Sequence, residues 1–185
     1  MKPHAAGGGF KKEKLNYRRR LGETQQVVNF QLSQGNTAGE ARCYVNLAIA
    51  FDAIFSLEGR QAPAAIKEYE GHFRARLEKL VDGAPPWWTV TAATDTAALG
   101  VELGAALSRA LLLFDRVDGP AAMISLMPLD RGAQNYLKAQ LHYVNGDLDA
   151  AYAALCAGVA FFADRGVTLE KMTRQLHLEK LIGWR

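Results

Sequence analysis

The stretch Ala41–Phe51, ARCYVNLAIAF, decides the fold class. Cys43, Val45, Leu47, Ile49 and Phe51 fall on one side of an extended chain and Tyr44, Asn46, Ala48 and Ala50 on the other, a period of two that belongs to a strand. Toward the N-terminus, the Gly/Asn-rich segment 34–40 reads as a loop. Residues 25–33 read as a second strand, with Val28, Phe30 and Leu32 on one face and Val27, Asn29 and Gln31 on the other. The turn signal Gly22-Glu23 precedes it. Before that turn, Leu15, Tyr17, Arg19 and Leu21 alternate with Asn16, Arg18 and Arg20, so the three strands form an antiparallel meander. Residues 1–14, with Pro3 and the run Gly7-Gly8-Gly9, read as a flexible basic arm.

Toward the C-terminus the pattern weakens over 52–71, where residues 62–70 around Pro63 make either a turn of helix or an irregular crossing. Alternation resumes over 72–80, with Phe73, Ala75 and Leu77 opposite His72, Arg74, Arg76 and Glu78. Pro85-Pro86 breaks this fourth strand, and Trp87–Val90 supplies a short fifth. Beyond residue 92 the period changes to 3.6. Thr94 or Asp95 caps a helix to about residue 114 with Leu99, Leu103, Leu107 and Leu111 as its core stripe. Helices follow over about 121–127, 131–144, 147–162 and 168–181, with Asn145-Gly146 as the turn of a hairpin. Segment 139–152 resembles a tetratricopeptide hairpin, but an array needs about three repeats and only one and a half are present. The expectation is one α+β domain over 1–185. Its parts are the arm at 1–14, a four- to five-stranded antiparallel sheet over 15–91, and a helical part over 94–182 packed on one sheet face.

A chain of 185 residues, 49% hydrophobic and 22% charged, has the composition of an ordinary globular domain. Its net charge of +3 conceals a strongly basic first twenty residues ahead of a mildly acidic remainder. Cys43 and Cys156 stand alone, with no CxxC pair, which points to a reducing, cytoplasmic setting and to neither a disulfide framework nor a zinc knuckle. No stretch reads as the ~18 apolar residues that a membrane span needs, so no membrane partner is expected.

Several short motifs, Gly9-Phe10-Lys11-Lys12, Tyr17-Arg18-Arg19, Val27–Ser33 and Val45-Asn46-Leu47, together resemble the bacterial family catalogued as domain of unknown function 4304. Arg74-Ala75-Arg76-Leu77, Trp87-Trp88 and the Gly-Asp helical hairpin extend the resemblance from about residue 9 to the end. The resemblance implies an α+β domain and no particular activity. Members usually carry a further helix ahead of the Gly-Phe-Lys-Lys element, which the eight preceding residues here are too few and too Gly-rich to form. Similar small bacterial domains often serve as immunity partners of toxins, an analogy of fold rather than of site.

Stacking the proposed strands gathers Arg18, Arg20, Asn29, Gln31, Tyr44, Asn46, Arg74 and Arg76 on one face. Trp87 and Trp88 must point to opposite sides, and Trp88 is placed with this face as an interface anchor. Such a face is either the solvated side of a half-buried sheet or a recognition surface whose guanidinium forks suit carboxylates and phosphates. Asn29 and Asn46 call for a hydrogen-bonding reason, because Asn is a poor strand former. An aromatic RNA platform is disfavoured, since Tyr17 and Phe30 fall on the apolar side. The histidines His4, His72, His142 and His177 are scattered, no serine lies in a G-x-S-x-G elbow, and Cys43 sits on the apolar face. No catalytic residue, metal or cofactor is therefore expected. The reading is non-catalytic recognition of a protein partner, in the form of an immunity-type inhibitor of a toxin. The alternative is an RNA- or nucleotide-binding module that uses the same arginines.

Overall fold

A computed structural model describes residues 9–127, 132 and 134–181; the expected arm over 1–8 and the last helix's end at 182 lie outside them. Among the described residues, six strands form one antiparallel sheet: β1 (Lys11–Glu13), β2 (Asn16–Leu21), β3 (Thr24–Leu32), β4 (Glu40–Phe51), β5 (Phe73–Arg76) and β6 (Trp88–Thr91). The order is β1-β2-β3-β4-β5, and β6 also pairs with β4. β4 is long enough to hold both on the edge away from β3, with Asn46–Ile49 against β5 and Glu40–Cys43 against β6. β1 corrects the arm expected over 1–14. Its Lys-Lys-Glu sequence has no apolar alternation to betray it, yet Lys11, Lys12 and Glu13 pair with Arg18, Tyr17 and Asn16.

The chain divides into two compact units, residues 1–50 with 64–116 and residues 51–63 with 117–185. The first holds the sheet to residue 50 and one helix, α2 (Thr96–Phe114), capped by the Asp95 carboxylate on the Ala97 and Ala98 amides. The C-terminal end of α2 covers the sheet side carrying Gln26 and Phe73. Gln26 donates to the Phe114 carbonyl at 2.9 Å, which satisfies one orphan acceptor of the helix end. Phe73 meets Phe114 edge to face at 6.5 Å. The leucine stripe expected to be core is only partly so. Ala106, Leu107, Ala110 and Phe114 are buried, whereas Leu99, Leu103 and Leu111 are half-buried and Val101 and Leu112 are 71% and 66% exposed. By length and composition α2 is apolar enough to cross a membrane, contrary to the expectation that no segment qualifies.

The opposite sheet side is crossed by residues 64–71, a strap ending in a short 3-10 turn at Glu68–Glu70. Ile66 is fully buried beneath it, and its amide donates to the Gln25 side chain at 3.3 Å. Gly71 lies against Ala48 so closely that a Cβ there would stand 2.6 Å from the Ala48 Cβ. The uncertain stretch 52–71 thus contains both a crossing and a helix, α1 (Asp52–Leu57).

The second unit contains α1, α3 (Pro120–Leu126), α4 (Gln134–Val144), α5 (Leu148–Phe161) and α6 (Leu169–Gln175). α4 and α5 form the expected tetratricopeptide-like hairpin. Gly146 takes the left-handed conformation at φ 83°, and Asp147 caps α5 by accepting from the Ala150 amide at 3.1 Å. The Tyr136 ring lies on Gly158, and its hydroxyl donates to the Gly158 carbonyl at 3.1 Å. Ala139, Ala151, Leu155, Met172, Leu178 and Leu181 form this unit's own core. α6 starts at the predicted Thr168 cap but ends six residues early, because His177 turns left-handed at φ 57°. α2 packs on the sheet within the first unit, and the helices of the second unit have a core of their own.

The Gly71–Ala48 contact is one backbone on one methyl, with no flexible side chain to yield. Gly71→Ala is expected to lower unfolding stability by about 1–3 kcal/mol in chemical denaturation. Gly39→Ala, where an added Cβ meets nothing within 4 Å, should shift it by less than about 0.5 kcal/mol.

Candidate functional site

Pairing partners in an antiparallel sheet point to the same side, so the registers settle the composition of the polar face. Arg18 opposes Val27, Arg20 opposes Gln25 and Asn16 opposes Asn29, while Asn46 opposes Arg76 and Ala48 opposes Arg74. All eight residues Arg18, Arg20, Asn29, Gln31, Tyr44, Asn46, Arg74 and Arg76 share this side, as alternation requires.

Their roles differ. The amides form a ladder across three strands: Asn29 donates to Asn16 Oδ1 at 2.8 Å, and Asn46 donates to Asn29 Oδ1 at 3.2 Å and to Gln31 Oε1 at 2.9 Å. Asn46 is only 6% exposed, and the ladder is the reason that a poor strand former sits in mid-strand. Arg18 and Arg74 are engaged with the strap and its surroundings. Arg18 Nε donates to the Ile66 carbonyl at 2.6 Å and Nη1 to Glu13 at 2.5 Å, while Arg74 grips both Glu68 oxygens at 2.9 and 3.3 Å. The strap thus separates Arg18 and Arg20 from an open patch on β4, β5 and β6.

That patch is a row of alternating cations and rings. The Arg76 guanidinium lies 4.7 Å over Tyr44, the Tyr44 ring meets Trp87 edge to face at 6.1 Å, and Arg42 lies 5.5 Å over Trp87. Arg42 is paired with Glu40 at 2.7 Å. Arg76 has no carboxylate partner among the described residues. Trp88 does not belong here. It opposes Cys43 on the other sheet side and is 3% exposed, with its indole N–H unpaired among the described residues. Trp87, 39% exposed, takes the place assigned to Trp88. Alternation requires the two indoles to diverge but leaves open which one faces which side until the β4–β6 register is known. Arg42 was also missed. The even-numbered parity it shares with Tyr44 and Asn46 was the available signal.

The family model for the domain of unknown function DUF4304 matches residues 1–115. The chain belongs to this family. The match ends at the end of α2, so the DUF4304 region contains the whole sheet, the strap and the Arg–aromatic row. It does not reach the α4–α5 hairpin, where the sequence resemblance had been extended. No curated protein and no solved structure matches the chain.

Cys43 lies on the side away from the row, and burial pushes its thiol above the ordinary cysteine value. It is protonated at neutral pH and a poor nucleophile. Among the described residues, no group of three His, Cys, Asp or Glu side chains is placed to hold a metal ion.

Removing Asn46 leaves Asn29 Oδ1 without its donor in a half-buried place, so Asn46→Ala should cost about 1–2 kcal/mol in a denaturant titration. A raised pKa favours the neutral thiol in the folded chain. Alkylation of Cys43 should therefore be slower than in the unfolded chain at about pH 8, with the gap closing as pH rises through the native pKa.

Proposed function

We propose that this DUF4304 chain is a non-catalytic protein-recognition domain and that the Arg42–Trp87–Tyr44–Arg76 row is its contact surface. The concrete form of this reading is an immunity-type inhibitor that meets a toxin by shape and charge. The observation that carries it is Arg76, an exposed guanidinium braced on the Tyr44 ring without an ion-pair partner among the described residues. A charge held in place by an aromatic ring loses little side-chain freedom on meeting a carboxylate. Arg, Tyr and Trp are also the residues that dominate interface hot spots. The amide ladder and strap beside the row are internally satisfied, so they offer a rigid frame on which a partner lands without remodelling.

The purified chain should retain a stoichiometric protein partner from its native cells, and Arg76→Ala with Trp87→Ala should weaken that complex at least about tenfold. Isothermal titration with the identified partner reads the loss. The same double variant should keep its unfolding midpoint, because both side chains lie on the surface. Retention of nucleic acid in place of protein, or a partner indifferent to the double variant, would refute the assignment.

A further inference from the structure

A cleft of about 470 Å3 opens between β1, β2 and the strap, lined among others by Lys11, Lys12, Glu13, Arg18, Arg20 and Ile66. Its size lies within the range of small-ligand sites, roughly 300–1,000 Å3. The lining is strongly cationic, and its carboxylate, Glu13, is already bound to Arg18 Nη1. Lys11 pairs with Arg18, so it shares that side of the sheet, and it has no carboxylate partner among the described residues. Lys12 pairs with Tyr17 and rests 5.8 Å over that ring on the opposite side.

Arg18 gives the cleft its chemistry. The side chain is 18% exposed, and two of its nitrogens are fixed by the Ile66 carbonyl and Glu13. Nη2 makes no hydrogen bond to a described residue. A largely buried guanidinium with an unused donor calls for an acceptor, and here the Lys11 ammonium stands on the same side of the sheet. The geometry points to an anion site for a small phosphate-bearing molecule. A phosphate offers three or more acceptor oxygens and up to two charges, which suits an oriented Arg donor and a mobile lysine better than a single carboxylate does. This site shares no residue with the Arg42–Trp87–Tyr44–Arg76 row, so it stands or falls independently of the protein-recognition reading.

The test is titration calorimetry of the full chain with pyrophosphate, with adenosine monophosphate and with a short RNA at low ionic strength, repeated with Lys11→Ala, Lys12→Ala and Arg76→Ala. One-to-one saturable binding of the small phosphates is expected, weakening with added salt, with at least about a fivefold loss in Lys11→Ala and a much smaller change in Lys12→Ala and Arg76→Ala. Lys11 and Lys12 are exposed, so both lysine variants should keep the wild-type unfolding midpoint. Absence of saturable binding to either small phosphate would overturn the site. So would unchanged affinity in Lys11→Ala, an equal loss in Lys12→Ala or Arg76→Ala, or binding of the RNA with neither small phosphate retained.

Discussion

The architecture of the first unit depends on β4, whose second half is buried on both faces. From Val45 onward every residue of that strand is buried, including the small Ala48 and Ala50 on the side that also carries the arginines and amides. A two-layer arrangement with α2 on one side would leave Ala48 and Val27 open to water. The strap closes that side, and its passage is possible because Ala48 and Gly71 together present one methyl group where larger residues would collide. Arg74 to Glu68 and Arg18 to Ile66 fasten the strap to the sheet from both directions. The same arginines that give the face its basic composition therefore serve mostly to hold its cover, and what remains open is the narrower row around Tyr44 and Trp87.

The sheet was largely legible because period-two alternation survives in β2 to β5. Its strongest stretch, Ala41–Phe51, is the strand on which the others assemble. Lys11–Glu13 escaped because a three-residue edge strand of charged side chains carries no hydrophobic pattern, and its pairing comes from β2 instead. The strap escaped for a different reason: an irregular crossing has no period, and Gly71 earns its meaning only from Ala48, 23 positions earlier in the chain. In α2 the i, i+4 leucines advance about 40° around the helix at each step, so four of them cannot share one narrow contact. The observed contact follows Ala106, Leu107, Ala110 and Phe114, a tighter stripe in which alanine lets the helix approach.

The candidate face was legible in parity and illegible in occupancy. Alternation correctly grouped eight side chains. It could not reveal which guanidinium binds a neighbour and which stays exposed, since that depends on Glu13, Glu68 and the Ile66 carbonyl arriving from elsewhere in the chain. The Trp87 and Trp88 exchange has the same origin. A one-residue choice of register sends one indole into the interior and the other to the surface.

The two units are interleaved along the chain: residues 51–63 are a visit to the second unit between two parts of the first. α1 packs on α4, and α4 lies beyond residue 115, where the family match stops. A single cut therefore cannot separate the units cleanly. A fragment ending at α2 would carry Ile54 and Phe55 as a sticky remnant deprived of α4, and is best expressed with residues 51–63 replaced by a short polar linker. Any relative composed of the matched region alone faces the same unpaired segment, so its counterpart of α1 must either be polar or find a different cover.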